Sequence, residues 1–199
     1  MAQAMETFAD GLGGAVERAA ASRRTHEVLV RALTSLGFAA IWGVSAGSAA
    51  PALAIANIYK VPMVLALSAV VALPAVLVTR HLLRIAIKPF ELGSALVTSL
   101  YRASLVLLGF APLLGVYAYT SQWVAPLLAQ GSALLALACG GLSLRSELAR
   151  LDTPRLQLWL LGGVASVTLA LALLQLVSLA TPVLTLPTAF GSGIDGILP

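Results

Sequence analysis

Ser45 stands within Gly43-Val44-Ser45-Ala46-Gly47, the Gly-x-Ser-x-Gly spacing of a hydrolase nucleophile elbow. That chemistry needs a strand, a sharp turn and a helix around the serine, with an acid and a histidine in reach. Here the pattern falls inside a long apolar run, and the only histidines, His26 and His81, lie near the opposite membrane boundary. No H-E-x-x-H, C-x-x-C, Walker or dinucleotide fingerprint is present, and no apolar run holds paired carboxylates for acid–base work. The residues therefore point to a non-enzymatic protein with no catalytic residue, metal site or cofactor.

The chemistry that remains is cationic. Arg102 lies inside the apolar run 92–119, and an unpaired cation in lipid costs roughly 2.5 to 3.5 kcal/mol on the gentlest insertion scale. No acid falls within any apolar run, and Glu91, the nearest in sequence, is about 16 Å away along an ideal helix. The expected partners of Arg102 are then the hydroxyls of Thr98 and Tyr101, carbonyls freed near Pro74, lipid, water, an anion or a second protein. Alternatively the side chain snorkels to the interface. Arg80, Arg84 and Lys88 recur every fourth position beside His81, which on a continuous helix makes a cationic stripe. With Arg102 they form the candidate anion or partner site, against the plainer reading of the stripe as a topology anchor.

The elements that must position these groups follow from composition. The chain is 59% hydrophobic and 10% charged, where a soluble domain is about 25% charged. Apolar runs at 33–55, 61–83, 92–119, 123–144 and 156–183 each reach the roughly 20 residues that cross a bilayer as a helix. Strands of a membrane barrel alternate over about ten residues, and these runs do not. The fold class is all-α, a polytopic transmembrane bundle of about five spans. Residues 1–31 form an N-terminal segment whose Met1, Met5, Phe8, Leu12 and Val16 share one face, as in an interfacial helix. Residues 32–184 form the membrane domain and 185–199 a tail.

Lysine and arginine placement orients the spans. Arg18, Arg23, Arg24 and Arg31 precede the first run, Arg80, Arg84 and Lys88 lie about the second connection, and Arg145, Arg150 and Arg155 about the fourth. The other side carries Lys60 alone. The N-terminus and these loops are expected in the cytoplasm and the C-terminus outside. The formal charge of +4 serves topology, so nucleic acid is not an expected partner. Ser22-Arg23-Arg24 has the start of a twin-arginine signal, but His26 and Glu27 stand where such signals are apolar. The single cysteine, Cys139, cannot form an intramolecular disulfide.

Small residues recur every fourth position at Ser35, Ala39, Gly43, Gly47 and Pro51, at Ser132, Ala136 and Gly140, and at Gly162, Ser166 and Ala170. Such stripes let helices approach closely. They serve packing within the bundle, self-association or a partner subunit. Pro74 and Pro112 each remove a backbone donor inside a run and are candidate bends.

Tyr59-Lys60-Val61-Pro62, followed by Leu73-Pro74 and Ala111-Pro112, resembles the central region of Yip1-like bacterial membrane proteins, over residues 58–121. The resemblance implies five spans, a cytoplasmic N-terminus and a non-enzymatic role, and carries no functional residue across. Ten arginines against two lysines among abundant alanine and leucine suggest a GC-rich bacterial gene, hence the inner membrane. The expected role is a subunit or scaffold of a larger membrane assembly, contacting lipids and other copies or subunits. The alternative is an oligomeric pore or transporter biased toward anions by Arg102 and the Arg80 stripe.

The orientation has a direct check in a Cys139→Ser background. An impermeant thiol reagent added to intact cells should label Ser192→Cys and not Ala86→Cys; the reverse pattern would invert the topology.

Overall fold

A computed structural model describes the backbone of residues 2–121, 123–150 and 154–180, with side chains from Ser22 to Val177 within them. The tail 185–199 and the apolar face Met1 to Val16 lie outside these described side chains. Five helices follow in order: α1 (Ala2–Gly47), α2 (Pro51–Leu82), α3 (Pro89–Thr120), α4 (Val124–Ala149) and α5 (Arg155–Ala180). All five contain a stretch long and apolar enough to cross a membrane, and no strand occurs among the described residues. The chain is a multi-pass helical membrane protein.

The helix limits have local causes. The apolar run 33–55 is divided, because Ser48 to Ala50 turn the chain and Pro51 opens α2. Proline suits that first position, where its missing N–H would have no helical partner. Pro51 therefore belongs to α2 and not to the small-residue stripe of α1. Pro89 opens α3 in the same way, and Glu91 accepts a 3.1 Å hydrogen bond from the Lys88 backbone N–H. No break separates the N-terminal segment from the first span at residue 31, since α1 runs through it. Pro74 and Pro112 both lie inside helices that continue past them.

The helices form a ring. α1 packs between α2 and α3, α2 against α5, and α3 against α4, while α4 meets α5 over a shorter seam. One apolar core, with Ala72, Val76, Leu96, Leu100, Leu144 and Leu161, joins α2 to α5 at the end bearing most of the charges. Ile85 and Ile87 of the α2–α3 connection enter it while Ala86 between them is exposed, the alternation of an extended segment. A second core at the other end gathers Trp42, Ala46, Ala111, Leu114 and Ala129. Outward lie Ile55, Val70, Val78, Leu134, Val167 and Leu171, all exposed, which a bilayer would cover.

The tightest approach is between α1 and α2. A Cβ on Gly43 would lie 2.8 Å from the Asn57 carbonyl oxygen, and one on Gly47 would lie 2.8 Å from the Ala54 nitrogen. Asn57, fully buried, donates from Nδ2 to the Gly43 carbonyl at 3.0 Å. Gly43→Ala or Gly47→Ala should destabilise the protein by about 1 to 3 kcal/mol, because backbone must move. Gly37 has nothing within 4 Å of its Cβ position, so Gly37→Ala should be neutral or stabilising by up to about 1 kcal/mol. Thermal unfolding in detergent distinguishes the two classes.

Candidate functional site

Arg102 is closed by its own chain. Its Nη2 lies 2.8 Å from Glu147 Oε1 and its Nη1 donates to Ser143 Oγ at 3.0 Å. Both acceptors are on α4, one turn apart, so one planar guanidinium spans two successive positions of the facing helix. Glu147 is 17% exposed and Arg102 41%. The expectation that no acid of this chain could reach Arg102 is overturned. Run 123–144 ends at Leu144, but α4 continues to Ala149, and that added turn and a half carries Glu147 back to α3.

The backbone permits this contact through small residues. A Cβ on Gly140 would meet the Ala103 Cβ at 3.2 Å and the Ser99 carbonyl at 3.6 Å, so α3 and α4 are held close just beside the ion pair. Ser132, Ala136, Gly140, Ser143 and Glu147 form one face of α4, with all but Glu147 buried. Ser132 accepts from Trp42 Nε1 at 3.1 Å, tying the far end of that face to α1. Continuing the stripe past Gly140 was the signal in the sequence that could have found Ser143 and Glu147.

Depth follows from helix rise. Arg102 is 18 residues before Thr120, the last residue of α3, which is about 27 Å, close to the roughly 30 Å of a hydrocarbon core. With Thr120 taken at one face of the bilayer, the ion pair lies about one hydrocarbon thickness away, at the other, and the first three turns of α3 continue beyond it. There Thr98, buried, accepts from Arg31 Nη1 at 3.0 Å, and Phe38 packs on Tyr101 at 6.0 Å between ring centroids. Thr98 thus serves Arg31 of α1 and not Arg102.

A cavity of about 610 Å³ opens beside these contacts, between the charged ends of α1, α3 and α4. Its charged walls are Arg24, Arg31 and Arg150 against Glu27, Glu91 and Glu147. Three cations facing three acids give no net attraction for a small anion. The cleft instead offers alternating donors and acceptors, with Glu147 reaching Arg102 through one oxygen and Arg150 at 3.4 Å through the other.

Arg80, Arg84 and Lys88 do not join Arg102, and they do not form a stripe. α2 ends at Leu82, where Arg84 adopts φ 50°. The Arg84 N–H donates to the His81 carbonyl at 3.1 Å and the Ile85 N–H to the Arg80 carbonyl at 3.1 Å, the pairing of a Schellman cap. Past that reversal, Arg84 and Lys88 leave the helical spacing. Arg80 donates from Nε to the Ile87 carbonyl, bracing the connection. None of the three lines the cavity beside Arg31.

The remaining small-residue positions are placed as follows. Gly43 and Gly47 face α2, and Ala136 and Gly140 lie on the buried face of α4. Ser166 approaches Gly141, whose Cβ would lie 3.3 Å from its Oγ, while Gly162 is buried with no atom within 4 Å of its Cβ position. No group of three or more potential metal ligands occurs among the described residues. No protein-family model, curated protein or solved structure matches the chain.

Three substitutions test these placements. Glu147→Gln, which leaves the guanidinium without its counter-charge, should lower stability by about 1 to 3 kcal/mol. Arg150→Gln, which removes a 3.4 Å contact from a side chain 68% exposed, should cost less than about 0.5 kcal/mol. Arg84→Gly should stabilise by roughly 1 kcal/mol, because glycine accepts the left-handed conformation that costs an L side chain energy. All three are read as shifts in thermal unfolding of the solubilised protein.

Proposed function

We propose that this chain is a non-enzymatic subunit or scaffold of a larger membrane assembly, engaging other proteins at its charged end. The observation that carries this reading is the closure of Arg102 by Ser143 and Glu147. A cation held by its own chain across a helix seam supports a packed bundle, and a guanidinium already engaged by Ser143 and Glu147 is not free to hold an ion in transit. Several buried hydroxyls are also engaged by their own helices: Ser68 donates to the Val64 carbonyl, Ser99 to Leu96 and Ser132 to Ala129. Ser132 also accepts from Trp42 Nε1 of α1, a single contact that ties two helices together.

Partner contact is assigned to the cleft between α1, α3 and α4. Its alternating arginines and glutamates suit a protein surface, which can complement both signs, better than a single ion. The faces of Gly43, Gly47 and Gly140 are engaged inside the bundle and are less available for assembly. The resemblance to Yip1-like proteins agrees with a non-enzymatic role, and the arginine bias with a bacterial inner membrane. A cytoplasmic position for the cleft follows from the positive-inside rule.

Mass measurement after mild solubilisation tests the assembly: the complex should exceed the 20.4 kDa of one chain, and a lone chain at every protein concentration would contradict it. Liposomes containing the purified protein should show no more anion flux than empty ones. Flux abolished by Arg102→Ala would establish the pore reading instead.

A further inference from the structure

The α4–α5 seam holds a second cavity, of about 940 Å³, at the same charged end. The two helices meet where Gly141 faces Ser166. Between that contact and the connection to α5, the cavity is walled by Arg145, Ser146 and Arg155, with Leu142, Leu158 and Trp159 as its apolar side. Among the described residues no acid lines it, and neither arginine pairs with a carboxylate. Its described walls thus differ from those of the balanced cleft on the other side of α4.

Arg145 lies with its guanidinium carbon 3.3 Å from the centre of the Trp159 ring. Stacking fixes the plane of the guanidinium while leaving its N–H edge free, the arrangement in which arginine recognises phosphate oxygens in pairs. Leu142 is 68% and Trp159 58% exposed, and both flank the cations on the outward surface. Arg145 is also within one turn of Glu147, which sits with Arg102 at the membrane boundary. Cations at headgroup level, over an apolar wall that continues along the spans, complement an anionic lipid.

We propose that this cavity binds one anionic phospholipid, its phosphate between Arg145 and Arg155 and its acyl chains along Leu142 and Trp159. The lipid fills the seam that α4 and α5 pack least completely. This assignment does not depend on the subunit reading, since a lone chain in lipid would have the same site.

Native mass spectrometry of the detergent-solubilised protein, with phosphatidylglycerol or phosphatidylcholine added at equal concentration, tests it. The parent should retain phosphatidylglycerol and shed phosphatidylcholine. Arg145→Gln and Arg155→Gln should each weaken retention about fivefold, and the pair together more, while Arg84→Gln at the same end leaves it unchanged. Excess glycerol phosphate should not displace the lipid. Equal retention of the two lipids by the parent, a measurement that needs no variant, would overturn the proposal. So would undiminished phosphatidylglycerol binding by the double variant, and displacement by glycerol phosphate would show a free-phosphate site instead.

Discussion

The bundle depends on how a cation at the edge of the hydrocarbon is neutralised. An unpaired arginine costs most at the bilayer centre and less toward this edge, and the chain neutralises Arg102 within itself by bringing Glu147 and Ser143 across from α4. That solution fixes the length of α4, its rotation and its distance from α3. Gly140 permits the distance, and the continuation of α4 to Ala149 supplies the carboxylate. The polar contact specifies which face of α4 meets α3, while apolar burial around Leu100 and Leu144 supplies the bulk of the attraction.

The same division of labour recurs around the ring. Between α1 and α2, Gly43 and Gly47 allow the backbones to touch, and Asn57 adds one directed bond. Between α1 and α3, Arg31 on Thr98 marks one end and the Tyr119 hydroxyl on the Ser48 carbonyl the other. In lipid, where apolar side chains gain little by leaving one hydrocarbon for another, close approach and interhelical hydrogen bonds carry more of the specificity. The α4–α5 seam lacks such a continuous close contact, and there a cationic cavity opens.

Five spans were legible in the sequence because a long apolar run has few alternatives. The end at Gly47 was harder, since Ser48 to Pro51 is itself small and apolar and only the proline marks the restart. Arg102 was visible as an anomaly, but its partner was not: Glu147 is 45 positions on, past an apolar run that appeared to stop at Leu144. Apolarity fixes where lipid begins, whereas a helix ends where its hydrogen bonds end, and α4 outlasts its apolar run. The opposite error occurred at Arg80, Arg84 and Lys88, whose helical spacing is interrupted by a left-handed residue that is not glycine. The stacking of Arg145 on Trp159, two positions from opposite sides of a connection, has no signature in spacing at all.

Arg102 and Glu147 act as one unit across α3 and α4. A double-mutant cycle of Arg102→Met and Glu147→Gln, read by thermal or denaturant unfolding in a fixed detergent, measures that directly. The two substitutions should be coupled by about 1 kcal/mol or more, each removing the same interaction. Effects that simply add, within about 0.5 kcal/mol, would contradict it.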